Sequence, residues 1–112
     1  MKNFKETLET NGKRMNDLAV GAPKMMKAFM EMHHLGTQNG ALSTKHKELV
    51  ALGIGIHAQC EGCILAHIKG ALDAGATHDE IVETIEVALY MGGGPCVIYG
   101  SLAYGALQEL SK

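Results

Sequence analysis

The sequence predicts an all-α protein, a compact bundle of about six helices, and three observations favour this class. Apolar residues recur at helical spacing along most of the 112-residue chain. Glycine and proline separate these segments and leave only short connections. Aromatic residues are scarce and tryptophan is absent, so we expect an aliphatic core. A chain of this length usually folds as one unit, and we assign residues 1–112 to a single domain.

The N-terminal third predicts two helices. Residues 3–18 carry loosely spaced apolar side chains, and we expect Gly12 to interrupt the helix there. Gly21 and Ala22 form a break before Pro23, which suits the first turn of the next helix because its missing N–H would be unsatisfied there anyway. We expect the methionines of this second helix to lie in the core or at a subunit interface.

The segment LSTKHKELVALGIGIHAQ predicts a third helix. Ser43 is a suitable N-cap residue. Residues 49–56 are apolar on every side, which is typical of a buried helix or a buried strand, and the length of the run from 45 to 59 favours the helix. Gly53 and Gly55 each cost about 1 kcal/mol in a helix interior. We therefore expect a neighbouring helix to approach closely at both positions.

Three more helices complete the prediction. Residues 61–74 repeat apolar side chains at i, i+1, i+4, i+7 and i+8, and Gly75 follows where a left-handed residue usually ends a helix. THDE at 77–80 has the spacing of a capping box and opens the fifth helix. GGGP at 92–95 ends that helix and begins the sixth, which is again strongly apolar.

Charge is unevenly distributed along the chain. Residues 1–47 contain eight Lys and Arg against four Asp and Glu, whereas residues 48–112 contain two against eight. The basic half has neither a dense Lys/Arg run nor interleaved aromatic residues, so we expect a solvated or subunit-contacting surface and no nucleic-acid partner.

Export and membrane insertion are not expected. No stretch of about 18 uncharged apolar residues is present, as a membrane span would need. The N-terminal segment MKNFKETLETNGKR lacks the apolar centre of a signal peptide. We therefore predict a cytoplasmic location. In that reducing compartment a CxxC pair is more often catalytic or metal-binding than structural.

Four chemistry-bearing residues lie close together in the stretch HAQCEGCILAH: His57, Cys60, Cys63 and His67. On a helical wheel, the last three fall along one edge of the apolar stripe. Cys63 and His67 are four residues apart, so their side chains can touch and the imidazole can accept the thiol proton. The CxxC spacing permits a disulfide within one turn. The first hypothesis is therefore a dithiol–disulfide cycle.

Three other interpretations remain open at this point. The four residues are nominally a Cys₂His₂ zinc set, but structural zinc sites take their ligand pairs from two separate elements, and a single helix would arrange them in a row. Inert buried cysteines are common, yet they would not explain the histidine one turn away. A thioredoxin-like fold would need VALGIGI and CVIYG as strands, together with several more strands than the sequence offers.

The motif and its flanks resemble the carboxymuconolactone decarboxylase superfamily, and within it the alkylhydroperoxidase D-like branch. The hallmark of that branch is a glutamate, eleven residues, CxxC, three residues and a histidine. Glu48, Cys60, Cys63 and His67 have the same spacing. The flanking LSTKHKELVALGIGI and GALDAGATHDEIVETIEVALYMGGGPCVIYGSLAYGAL also match, so the similarity spans roughly residues 41–107.

This resemblance implies an all-helical fold that assembles into homo-oligomers, often trimers or hexamers, and thiol-dependent chemistry without a cofactor. Cys63 would attack a peroxide and pass through a sulfenic acid, and Cys60 would resolve it as a disulfide. His67 and Glu48 would form a proton relay to the thiols. The substrate would be a peroxide, or a protein or small-molecule disulfide, and an unidentified thiol reductant would recycle the site.

One departure from the branch concerns Gly62. The peroxidase members carry a histidine immediately before the second cysteine, where this chain has glycine, so proton delivery would fall to another group such as His57. Decarboxylation of a small lactone acid is the alternative activity within the superfamily, but the lactone decarboxylases generally lack the CxxC pair. A structural metal-binding module is the remaining alternative.

The other histidines and the third cysteine are assigned structural roles. We expect Cys96, which follows a proline at a helix start, to pack as a small hydrophobic residue. We expect four histidines to be ordinary surface or capping residues: His33, His34, His46 and His78.

Overall fold

The computed structural model describes residues 3–112 and shows six α-helices and no strand in that part of the chain. The predicted all-α fold class is therefore confirmed, and both segments considered as thioredoxin-like strands are helical. Met1 and Lys2, which belong to the predicted domain 1–112, lie outside the described residues. The helices are α1 (Phe4–Gly21), α2 (Pro23–Gly36), α3 (Thr44–His57), α4 (Glu61–Asp73), α5 (His78–Gly92) and α6 (Gly94–Leu110).

Helices α3 to α6 form the core. Its largest side chains are aliphatic, as the composition predicts, and they are excluded from solvent because the four helices pack on one another: Leu52, Ile56, Ile64, Leu65, Ile68, Ile81 and Leu107. No residue of α1 or α2 is buried. Helix α1 packs on α2, α4 and α6, so the pair α1–α2 covers one side of the core.

The predicted core placement of the α2 methionines is wrong. Met25 is 74% exposed and Met30 is 47% exposed, because α2 packs mainly on α1 and leaves its other faces open. The alternative half of that prediction, a subunit interface, stays a prediction.

Helix α1 runs through Gly12 without a break, so the predicted interruption there is wrong. Its N-terminus is well satisfied, since the Asn3 side chain accepts the N–H of Glu6 at 3.1 Å. The Glu109 carboxylate on α6 accepts the N–H groups of Phe4 and Lys5 at 2.9 and 2.8 Å. These two bonds lower the pKa of Glu109 and attach the start of α1 to α6.

A tight turn joins α3 to α4 and sets the position of the first cysteine. Ser43 caps α3, as predicted, by accepting the N–H of His46 at 3.2 Å. After α3 ends, Gln59 takes a left-handed conformation with φ 57°. The N–H of Cys60 then donates to the carbonyl of Gly55 at 3.0 Å. This pattern terminates a helix and reverses the chain within three residues.

The two glycines of α3 differ in their surroundings. A Cβ atom on Gly55 would lie 3.3 Å from the Cβ of Cys63, so the predicted close approach of a neighbouring helix is confirmed there. A Cβ on Gly53 would lie 3.9 Å from Thr84, which is an ordinary contact, so the same prediction is wrong at that position. Gly55 therefore allows α4 to cross α3 directly beside the CxxC pair.

The predicted end of α4 and start of α5 are confirmed. Gly75 has φ 91°, as a left-handed terminating residue requires. Thr77 and Glu80 form the reciprocal capping box. Lys45 on α3 reaches the same glutamate at 2.9 Å. The pKa of Glu80 is lowered mainly by the hydrogen bond from the Thr77 N–H and, to a smaller extent, by Lys45.

No helix within residues 3–112 is both long and apolar enough to cross a membrane.

Candidate active site

The two cysteines of the motif form a disulfide at the beginning of α4. Cys60 is the N-cap residue in an extended conformation, and its Cα lies 5.3 Å from that of Cys63. The N–H of Cys63 donates to the sulfur of Cys60 at 3.2 Å. Both sulfurs therefore lie at the positive end of the helix dipole, which favours negative charge on a thiol when the disulfide is reduced.

Glu48 and His67 form a pair behind the disulfide. The Nδ1 atom of His67 lies 3.0 Å from Oε2 of Glu48. Glu48 is 5% exposed and is the only buried polar or charged residue in the described part of the chain. An ionised carboxylate can only accept a hydrogen bond, so Nδ1–H of the imidazole donates to it and Nε2 is left as a proton acceptor. Nε2 has no hydrogen-bond partner among residues 3–112.

A glycine on α4 makes the burial of this carboxylate feasible. Glu48 projects from α3 against Gly70, and a Cβ atom at that position would overlap the carboxylate. Because Gly70 has no side chain, a space remains between α3 and α4, and the Glu48 carboxylate fills it. The carboxylate accepts a hydrogen bond from His67, and a buried polar group requires such a partner.

A cavity of about 700 Å³ lies over the disulfide between α1, α2 and α4. Cys60, Cys63 and His67 all line it, so the groups expected to react are accessible to a small molecule. Helices α1 and α2 contribute three apolar and three polar side chains to the lining: Leu8, Met15 and Phe29, and Asn11, Arg14 and His33.

His33 lies at this cavity, although the sequence analysis assigned it to the ordinary surface. Its ring stacks on the ring of His67, with centroids 6.2 Å apart and planes inclined by 21°. His33 is exposed, as the prediction of a surface residue requires, but its contact with His67 was not predicted. No local pattern in the sequence could have paired two histidines that lie 34 residues apart on different helices.

His57 is placed away from this cavity. It is the last residue of α3, and its Nδ1 lies 3.9 Å from the sulfur of Cys96 on α6. Cys96 is 1% exposed, which confirms its predicted packing as a small hydrophobic residue. His57 does not line the cavity that contains Cys63, so its suggested part in proton delivery has no geometric support.

The nominal zinc ligands are also separated in space. His57 approaches Cys96, and the sulfurs of Cys60 and Cys63 are bonded to each other. Within residues 3–112, no three or more His, Cys, Asp or Glu side chains are grouped so that they could hold a metal ion.

Comparison with known proteins identifies the family. The sequence model of the carboxymuconolactone decarboxylase family matches residues 23–104, which is well over half of the chain. The protein belongs to the carboxymuconolactone decarboxylase family. The superfamily predicted from the Glu48, CxxC and His67 spacing is thereby confirmed.

Solved structures of the family share the fold. The chain superposes with a TM-score of 0.93 on the apo form of a carboxymuconolactone decarboxylase family protein from Legionella pneumophila, with 34% identity over 97% of each chain. It also superposes with a TM-score of 0.85 on a family protein from Thermotoga maritima, at 27% identity over 94% of this chain and 90% of that one. A role in the antioxidative response has been suggested for the Thermotoga protein.

Relatives are also found by sequence. An uncharacterised protein of Cupriavidus necator is 31% identical over 108 residues, which cover 96% of both chains. An uncharacterised protein from the cox locus of Paracoccus denitrificans is 35% identical over 83 residues, or 74% of this chain and 75% of that protein. The similarity to family members therefore extends well beyond the motif itself.

Proposed function

We propose that this family member is a cytoplasmic dithiol oxidoreductase with peroxiredoxin-type activity. The observation that carries the proposal is the Cys60–Cys63 disulfide, which opens into a cavity that is also lined by His67, the hydrogen-bond partner of the buried Glu48. A base supported by a buried carboxylate, next to a thiol, is the arrangement expected for an activated sulfur nucleophile. The suggested antioxidative role of the Thermotoga protein is consistent with this proposal.

The reaction starts from the reduced pair. The thiol proton of Cys63 passes to Nε2 of His67, and Glu48 stabilises the resulting imidazolium. The thiolate attacks one peroxide oxygen, the O–O bond breaks, and the alkoxide or hydroxide leaves with the proton from the imidazolium. Cys63 is now a sulfenic acid. The Cys60 thiol loses its proton to His67 and its thiolate attacks the Cys63 sulfur. The S–O bond breaks, the leaving hydroxide takes up that proton as water, and the disulfide forms. A thiol reductant returns two electrons and two protons to restart the cycle.

Two features favour Cys63 as the attacking sulfur. It is the more exposed of the two cysteines, whereas Cys60 is partly covered as the helix cap. It also lies one turn before His67 on the same helix face. Cys60 is then the resolving residue, already within bonding distance because the N-cap conformation turns it back over the first helical turn.

The test is to titrate free thiols and residual hydrogen peroxide before and after their reaction with the reduced protein. We expect the wild type to lose two thiols per chain and to consume peroxide. Cys63→Ser should do neither, whereas the matched control Cys96→Ser, which changes a buried thiol outside the cavity, should behave as the wild type. Equal peroxide consumption by the wild type and Cys63→Ser would refute the mechanism.

A non-redox decarboxylase acting on a small lactone acid is the second candidate, because the matching family is named for that activity. Turnover of a lactone acid that persists after Cys60 and Cys63 are alkylated would favour it.

A structural metal module is tested by metal analysis of the purified protein, and about one zinc ion per chain would favour that function instead.

We also propose that the protein acts as a homo-oligomer, a trimer or a hexamer. Large apolar side chains are exposed along α2 and at the start of α6, which subunit contacts would cover: Met25, Met32, Leu35, Val97 and Ile98. Light scattering coupled to size exclusion measures the subunit count directly, and a monomer at micromolar concentration would contradict the proposal.

A further inference from the structure

The imidazole of His67 is fixed at only one of its edges by hydrogen bonding. Its Nδ1 is bonded to Glu48 on α3. One face of the ring is turned toward a second imidazole, because the ring of His33 on α2 stacks on His67 with centroids 6.2 Å apart and planes inclined by 21°. The two histidines and both cysteines line the same cavity.

We propose that His33 is a positioning residue of the redox site: its ring packs against the His67 ring and holds it in the orientation that leaves Nε2 available to the thiols. The inference rests on the proposed function, since it assigns a role toward the proton acceptor of that mechanism. It adds a residue from α2 to a set that otherwise comes entirely from α3 and α4.

Helix α1 approaches the CxxC pair at Gly62. A Cβ atom there would be 3.4 Å from the side-chain nitrogen of Asn11 on α1. His33 reaches the same cavity from α2.

The groups around His67 come from four helices. Glu48 faces it from α3, the two sulfurs lie at the start of α4, and His33 faces it from α2. Arg14 from α1 and Glu61 from α4 line the same cavity.

The experiment measures the alkylation rate of Cys63 in the reduced protein with iodoacetamide from pH 5.5 to 8.5, with the modified residue identified by mass spectrometry. The variants are His33→Ala, which removes the ring, and His33→Phe, which keeps a flat ring without a charge. His34→Ala changes the next residue on the same helix and is the matched control, because His34 makes no ring contact in the described structure. His67→Ala reports on the proposed base itself.

We expect His33→Ala to slow alkylation at pH 8 by about threefold to tenfold, the range expected for loss of a ring–ring contact. His33→Phe should recover at least half of the wild-type rate at pH 8, because its flat ring can pack against His67 as the imidazole does. His34→Ala should follow the wild-type profile at every pH.

Two outcomes would overturn the inference: a wild-type profile for His33→Ala, or a His33→Phe variant as slow as His33→Ala at pH 8. The proposed function fails separately. If His67→Ala alkylates at the wild-type rate, the base assigned to His67 is wrong. If His67→Ala is slow and His33→Ala is not, only the role of His33 is wrong.

Discussion

The carboxylate of Glu48 occupies the space that a side chain at Gly70 would need. A Cβ atom built on Gly70 would overlap the carboxylate, which is almost completely buried and bonded to His67 at 3.0 Å. The absence of a side chain on α4 and the presence of an acid on α3 are thus two parts of one arrangement. A change at either residue should affect the other.

Gly70→Ala should destabilise the protein and slow its reaction with peroxide. The added methyl group would force the Glu48 side chain or the helices apart, and overpacking of this kind costs about 1–3 kcal/mol. Chemical denaturation measures the free energy of unfolding, and thiol alkylation measures the effect on the site.

Gly12→Ala is the matched control for that substitution. Gly12 also lies inside a helix, but a Cβ there would meet nothing within 4 Å. Alanine is favoured over glycine in a helix interior, so we expect this variant to gain about 0.5–1 kcal/mol. Equal destabilisation by both substitutions would show that the overlap with Glu48 is not the cause.

Glu48→Gln should separate the charge of the acid from its shape. Glutamine keeps an oxygen that can accept the Nδ1–H of His67 but cannot stabilise an imidazolium by its charge. We expect the rate of peroxide reduction to fall by about 10- to 100-fold, while the far-UV circular dichroism stays unchanged. Wild-type kcat/KM for hydrogen peroxide in this variant would remove Glu48 from the proposed relay.

The roles of the two cysteines can be distinguished by trapping the sulfenic acid. Cys60→Ser cannot form the disulfide, so Cys63 should accumulate as a sulfenic acid after one equivalent of peroxide. Dimedone labelling followed by peptide mass spectrometry detects it. The wild type should give little adduct, because Cys60 resolves the intermediate. An adduct on Cys60 in the Cys63→Ser variant would mean that the order of the two residues is reversed.

Stability should fall in acid as two glutamates become protonated. The pKa of Glu109 is lowered from 4.5 by the N–H groups of Phe4 and Lys5, and that of Glu80 is lowered by Thr77 and Lys45. A lowered folded-state pKa contributes stability above the unfolded value, and this stability is lost as the pH falls through the folded value. Urea unfolding at pH 7, 5 and 3 should show most of the loss below pH 5.

Glu109→Gln tests the structural consequence at the start of α1. The variant should reduce the acid sensitivity, and the amides of Phe4 and Lys5 should exchange with solvent faster than in the wild type. Glu83→Gln is a suitable control, because this exposed residue of α5 has no hydrogen bond or ion pair among the described contacts. Unchanged exchange in Glu109→Gln would show that its carboxylate does not hold α1 in place.

Local features were predicted well from the sequence. The caps at Ser43 and Thr77 and the left-handed Gly75 depend on residues within a few positions of one another, so their chemistry is visible in the order of the residues. The start of α4 at Glu61, directly after the Cys60 cap, is equally local. The prediction of an interruption at Gly12 was wrong because a residue distant in the sequence stabilises the helix. One glycine costs too little to end a helix that is attached at its N-terminus by Glu109.

By itself, the sequence determined the helical class, the ends of most helices and the spacing that brings Cys60, Cys63 and His67 to one side of α4, because all of these follow from the period of a single helix. Only the tertiary structure decided that Gly70 makes room for the Glu48 carboxylate, that His33 stacks on His67 and that His57 lies beside Cys96 instead. These contacts join residues on different helices. Their geometry depends on how the helices cross, which no pattern within one helix contains.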